Sequence, residues 1–234
     1  MDVAVSNLSF CYPDGTPVFE DLSLRIRGER VALIGPNGSG KSTLLALLCG
    51  AMSPQKGTIA LEGQTLAEHE RQHSFGMVFQ DPDDQLFMAT VLEDVGFGMV
   101  AHGATRGEAD EASLRLLEEL GISHLAPRAP HRLSGGEKRL VATAGALVGR
   151  PKALLFDEPS SALDPKARRR IIELFLTLPV PFIMTTHDLD MAEDLCDQVV
   201  LLSRGTLGAQ GGPELLRDGA LLTRFDLELP LRYQ

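Results

Sequence analysis

The stretch VALIGPNGSGKST, Val31 to Thr43, constrains this chain more than any other. VALIG is a continuous apolar run of the kind a strand takes when both of its faces are covered. A glycine-rich turn follows, and then KSTLLALLCG, which reads as a helix. Residues Gly35, Pro36, Asn37, Gly38, Ser39, Gly40, Lys41, Ser42 and Thr43 match G-x-x-x-x-G-K-[ST], in the strand–turn–helix setting that this motif requires. The glycines let backbone N–H groups close around phosphate oxygens, and the helix that follows adds the positive end of its dipole. Lys41 is then placed to reach the β- and γ-phosphates, and Ser42 to hold Mg²⁺. A chance glycine-rich turn would match on the order of 1% of the time or less at ordinary glycine usage. The stretch therefore binds a nucleotide.

The rest of the chain supplies an α/β frame for that loop. VAVSNLSF and LSLRI alternate as strands do, with a turn at Pro13-Asp14-Gly15 between them. GTIALEG and FGMVF are further short strands. From Asp81 to about Gly149 the pattern turns helical: TVLEDVGFGMVAHG, RGEADEASLRLLEELG and SGGEKRLVATAGALVG, with no strand among them. ALLFDE, PFIMTT and QVVLLS then return as strands, with PKARRRIIELFL and DLDMAEDLC as helices between. The expectation is one domain over 1–234, with 1–80 and 150–234 forming the core and 81–149 a helical lobe inserted into it.

Composition excludes several function classes. A net charge of −10 argues against non-specific nucleic-acid binding, which draws on clustered Lys and Arg. Arg168-Arg169-Arg170 reads as a solvated helix face. Cys11, Cys49 and Cys196 lack CxxC spacing and read as buried small hydrophobes in a reducing compartment. His69 and His73 could share a helix face but have no third metal ligand nearby. No apolar run reaches the ~18 residues of a membrane span, and no signal peptide is expected.

Two more motifs carry chemistry. ALLFDEP is an apolar strand ending in two acids. Asp157 could accept from a Mg²⁺ shell and Glu158 could polarise an attacking water, or the pair could cap a helix. In LSGGEK, Ser134 is a good helix N-cap, and Gly135 and Gly136 leave free N–H groups that favour an anion. Either this is a plain helix start, or it is a second anion site that serves the nucleotide of another copy.

With these residues in place, the sequence resembles the nucleotide-binding subunit of an ATP-binding cassette transporter over nearly its whole length. The resemblance implies an ABC-type ATPase core with an antiparallel β subdomain and a helical lobe. It implies that Tyr12 stacks on adenine, that Gln80 links Mg²⁺ and water to a membrane partner, and that His187 senses the γ-phosphate. It also implies that Ser134, Gly135, Gly136, Glu137 and Asp164 serve the nucleotide held by a second subunit. ATP and Mg²⁺ would be bound between two head-to-tail copies, as a homodimer or a pair with a second ATPase. The subunit would sit on the cytoplasmic face of a membrane against integral transporter subunits, with no nucleic acid involved. QDPDDQLFMATVLEDVGFG, THDLDMAEDLCDQVVLLSRG and LLTRFDLELPL further resemble the ATPases of energy-coupling-factor importers, implying cobalt or nickel as cargo, or alternatively a vitamin such as biotin. Asp83 and Asp84 would then meet basic side chains of the membrane subunit, while Leu86 and Phe87 fill an apolar groove. A soluble DNA or ribosome ATPase of the same class would carry a coiled-coil insertion or a second cassette. A P-loop kinase would not explain LSGGE, SALD and His187 together.

Overall fold

The computed structural model describes residues 1–234. Two sheets organise it. The first is antiparallel, in the order β2 (Pro17–Arg27), β1 (Asp2–Cys11), β4 (Lys56–Leu61), β5 (Gln64–Thr65). Its alternation is what the sequence requires: Val3 faces Ile26 and Leu61, Val5 faces Leu24 and Ile59, and these six side chains are buried on one side.

The second sheet has six strands in the order β10 (Thr206–Gly211), β9 (Gln198–Ser203), β3 (Arg30–Ile34), β8 (Phe182–Thr185), β7 (Ala153–Phe156), β6 (Phe75–Val78). All its pairings are parallel except that of the edge strand β10. Its strands are continuously apolar because they separate two cores. Val31 and Leu33 of β3, with Ala153 and Leu155 of β7, face the antiparallel sheet and helix α1 (Lys41–Leu48). The alternate residues Ala32, Ile34, Leu154 and Phe156 face α6 (Pro165–Thr177) and α7 (Leu189–Leu195). There the rings of Phe156, Phe175 and Phe182 meet within 6 Å, Phe156 to Phe182 being the longest separation at 5.8 Å.

Between β6 and β7 lies an all-helical segment: α3 (Val91–Ala101), α4 (Arg106–Glu119) and α5 (Gly135–Leu147). Thr90 and Thr105 cap α3 and α4 through their hydroxyls. The helices bury their own core of Val91, Val95, Leu117, Leu125 and Val141, among others, and join the main core through Leu86, Leu116 and Leu140. The strand–helix reading and the strandless insert match the structure. Two elements had weak signals: α2 (Glu68–Ser74), whose polar sequence EHERQHS buries only Arg71 and Ser74, and β10, which contains Gly208 and Gly211. A last helix, α8 (Gly219–Arg224), precedes an extended tail ending in a single turn at Leu231–Tyr233.

Two expectations need correction. Cys11 is exposed, unlike Cys49 and Cys196, because β1 directs it away from the core after Phe10. Arg168 is not simply a solvated charge: it is half-buried in a bidentate pair with Asp188.

Candidate active site

The parallel sheet sets the site. At the C-terminal ends of adjacent strands β3, β8, β7 and β6 stand, in that spatial order, the phosphate-loop motif, His187, the Asp157-Glu158 pair and Gln80. Ligands of open parallel sheets bind at this end. One cleft of about 1300 Å³ is bordered by Asn37 to Thr43, Gln80, Glu158 and His187.

The loop itself depends on two glycines. Gly35 has φ +147°, and a Cβ there would stand 2.0 Å from the carbonyl oxygen of Leu202. Gly40 has φ +101°, and a Cβ would strike the Phe19 ring at 2.7 Å. Lys41 is buried, with Nζ donating to the carbonyls of Gly35 (2.8 Å) and Pro36 (3.2 Å). Burial lowers its pKa, partly offset by Glu158 and Asp157. The Ser39 hydroxyl is buried with no partner, a polar atom facing the turn.

Asp157 and Glu158 diverge in role. Asp157 Oδ1 accepts from the Ser42 hydroxyl at 2.9 Å and from the Thr185 hydroxyl at 2.6 Å. Glu158 has φ +46°, a left-handed conformation costing roughly 1–2 kcal/mol for a residue with a Cβ. Its backbone is held there by its N–H donating to Thr185 Oγ1 at 2.9 Å. The carboxylate is 13% exposed; Oε2 accepts from the His187 N–H at 3.2 Å. Oε1 lies 3.3 Å from His187 Nε2 but forms no aligned hydrogen bond. Burial pushes the Glu158 carboxyl above the usual range, against the pull of His187 and Lys41. Such a combination of strain, burial and an unpartnered oxygen marks a functional carboxylate. Ser42, Asp157 and the amide of Gln80 offer hard oxygen donors, a set that fits Mg²⁺.

Tyr12 reaches the first turn of α1. Its hydroxyl hydrogen-bonds Thr43 Oγ1 at 2.8 Å and its ring packs edge-on to Phe10 at 5.3 Å, beside a recess that Cys11, Pro13 and Met52 also border.

The LSGGE residues lie apart from this cleft. Ser134 and Glu137 form a reciprocal capping box at the start of α5: Glu137 Oε2 accepts from the Ser134 N–H and hydroxyl at 2.8 and 2.7 Å. The carboxylate of Glu137 is thus engaged in the cap and with Arg128, and backbone N–H groups at Gly135 and Gly136 are left to the first turn. Asp164 is exposed and caps α6 through the N–H groups of Lys166 and Ala167, both at 2.8 Å.

Sequence reading missed Arg139. Buried in α5, it donates to the carbonyls of Gln80 (2.9 Å) and Glu158 (3.1 Å), tying the LSGGE helix to the exits of β6 and β7. Its place one turn beyond Ser134, facing inward from a helix start, was the available signal.

The QDPDDQLF stretch resolves residue by residue. Asp81 is extended and caps a short turn at Pro82–Asp84. Asp83 pairs with Lys138 of the same chain, and its side chain stays largely exposed. Gln85 staples the loop to the carbonyls of Met77 and Ala142. Leu86 turns inward to both cores, whereas Phe87 is 63% exposed and packs edge-on to Phe97 at 4.9 Å. Phe87, Phe97, Met99 and Ala104 border a groove of about 610 Å³ between lobe and core.

Comparison with known proteins places these features in context. The sequence model of the family described as "ABC transporter" matches residues 19–161. A putative ABC transporter ATP-binding protein of Streptomyces avermitilis is 43% identical over 98% of this chain and 89% of its own. The energy-coupling factor transporter ATP-binding protein EcfA of Methanothermobacter thermautotrophicus is 40% identical over 97% of this chain and 76% of its own. The solved structure of cbiO1 from Clostridium perfringens, described as part of the ABC transporter complex cbiONQ, superposes with a TM-score of 0.81 at 35% identity, covering 95% of this chain and 93% of that one.

Proposed function

We propose a specific transport role from one premise: the chain belongs to the ABC transporter family. It is an ATPase whose hydrolysis is coupled to transport. Within that family, the reading supported best is the ATPase of an energy-coupling-factor importer, peripheral on the cytoplasmic face of the membrane. Similarity to EcfA and cbiO1 over almost the whole chain supports it. A transition-metal ion, cobalt or nickel, is the proposed cargo, with a vitamin such as biotin the alternative. Uptake measured for both cargo classes, in cells expressing the chain with its membrane subunits, decides between them.

The observation that carries the catalytic assignment is the row of strand ends: phosphate loop, His187, Glu158 and Gln80 around one cleft, with Asp157 bonded to Ser42 behind it. Lys41 and the loop amides hold the β- and γ-phosphates, while Tyr12 offers its ring to adenine. Ser42, Asp157 and Gln80 would hold Mg²⁺, which supplies charge neutralisation at the phosphate oxygens. Glu158 takes the proton of the attacking water, and His187 holds its carboxylate in place. The LSGGE amides, with Asp164, act on the nucleotide of the second subunit. Replacing Lys41 with Ala is expected to weaken ATP binding roughly ten- to a hundredfold, the effect of losing a charge-assisted hydrogen bond. Tyr12→Ala is expected to weaken it roughly tenfold through lost stacking. Equilibrium titration with a fluorescent ATP analogue measures both.

The groove beside Phe87 is the proposed seat of a membrane-subunit helix. A large exposed aromatic pair at the rim of an apolar groove is how an anchoring site looks before its partner arrives. Asp84 remains free to meet a basic side chain, and it would affect orientation and association rate more than affinity. Because Asp83 is held by Lys138 in the LSGGE helix, changing it would disturb two sites at once. Phe87→Asp with Asp84→Lys is the cleaner pair. Basal ATPase is expected to persist, and co-purification with the membrane subunit to fail. Normal co-purification would move the docking surface elsewhere.

A further inference from the structure

Helix α7 begins two residues after His187 and is only seven residues long. So short a helix has little stability of its own. It is also rich in acid: Asp188 caps it, and Asp190, Glu193 and Asp194 follow. Asp194 lies in its last turn, where the helix dipole disfavours negative charge. Only packing by Leu189, Met191, Ala192 and Leu195 and compensation from outside the helix can fix its position.

That compensation comes from three directions. From α6, Arg168 grips Asp188, with Nη2 to Oδ1 at 2.9 Å; the same Oδ1 accepts the Met191 N–H at 2.9 Å as the helix cap. From the turn after β10, Arg217 donates to Glu193 at 2.7 Å. From the tail, Arg232 spans two acids: Nε donates to Asp190 Oδ1 at 2.6 Å, and Nη1 and Nη2 donate to Asp194 at 2.8 and 2.9 Å. The Leu231 N–H adds a bond to Asp190 at 2.8 Å, and the Tyr233 hydroxyl one to Glu193 at 2.7 Å. The tail thereby forms a wall of the cleft that Glu158 and His187 border.

We propose that Arg232 and Arg168 form a two-sided ionic clamp on α7 that fixes His187 against Glu158, making both arginines positioning residues for ATP hydrolysis. The geometry that supports it is continuous. His187 is bonded through its backbone N–H to Glu158, its neighbour Asp188 is both helix cap and Arg168 partner, and Arg232 holds the same helix from the tail. A planar guanidinium can bridge two carboxylates in fixed directions, which a lysine ammonium cannot. The proposal rests on the assignment of His187 to the hydrolytic step.

The test is a double-mutant cycle on the full chain, with kcat and KM for ATP measured separately. Arg232→Met keeps the apolar stem and removes the fork. It is expected to lower kcat roughly tenfold, the scale of a small misplacement of a catalytic group, with KM nearly unchanged. In a His187→Ala background the same substitution is expected to lower kcat no further, because the group it positions is gone. An unchanged kcat for folded Arg232→Met, or an equal loss in both backgrounds, overturns the clamp. If His187→Ala alone leaves kcat intact, the assignment of His187 fails, and the clamp with it. Should Arg232→Met not fold, Arg232→Lys carries the same cycle, since it keeps the charge and loses the fork.

Discussion

Replacing Glu158 with Gln is expected to leave ATP bound and to lower turnover by ~10²–10⁴-fold, the usual cost of removing a general base. The amide is nearly isosteric with the carboxylate, so the left-handed turn and the Thr185 bond to the backbone remain available. What is lost is the acceptor for the proton of the attacking water. Oε1 is placed to be that acceptor, because it is buried, without a hydrogen-bond partner, at the edge of the phosphate-loop cleft. The same burial predicts the pH dependence. A carboxyl whose pKa is raised loses its basic, ionised form at a higher pH than an ordinary glutamate does. The acid limb of the wild-type kcat/KM profile, which reports the free enzyme, is therefore expected to lie above the ordinary glutamate range and to vanish in Glu158→Gln. Steady-state hydrolysis across pH, beside ATP titration of the variant, checks both. Near-normal hydrolysis by Glu158→Gln would move the base elsewhere.

How much of this was legible in the sequence depends on the range over which each signal acts. VALIG, ALLF and FIMT are apolar throughout because both faces of the sheet are covered, and that reads directly as buried parallel strands. The phosphate loop and the LSGGE cap are local: their glycines, lysine and serine act within a few residues of one another. Arg139 offered only its place on the inner face of the LSGGE helix, because its partners are backbone carbonyls 59 and 19 residues away, and carbonyls leave no mark on a sequence. Arg168 reads as a solvated helix charge and Arg232 drew no reading at all, since nothing in the chain order announces that Asp188, Asp190 and Asp194 lie opposite them. The QDPDDQLF stretch falls between these cases. Its extended exit at Asp81 follows from Pro82. The division of labour between Leu86, turned inward, and Phe87, turned out, is set by how Gln85 staples the loop to β6 and α5.

Mixing two inactive chains is expected to restore hydrolysis. Within one chain the LSGGE amides do not border the cleft that holds Lys41 and Glu158, yet α5 opens with a well-formed cap and uncommitted first-turn N–H groups. A helix start of this kind attracts an anion, and the phosphate of a nucleotide held by a second copy would satisfy it. Each site would then take Lys41 and Glu158 from one subunit and Ser134, Gly135 and Gly136 from the other. A Lys41→Ala chain has a damaged loop and an intact LSGGE; a Ser134→Arg chain has the reverse. Paired with itself, each forms two defective sites. Paired with the other, one site combines both intact halves and the second combines both defects. The mixture should therefore recover about a quarter of wild-type turnover, since at random pairing half of the dimers are mixed and each carries one of two sites. Additive residual activities with no recovery on mixing would show that each chain completes its own site. Equilibrium sizing of the Glu158→Gln chain with ATP and Mg²⁺ provides an independent measure, because slow hydrolysis should hold the sandwich closed as a dimer. A monomer under those conditions would point to pairing with a distinct second ATPase, whose LSGGE would then have to serve the Lys41 site of this chain.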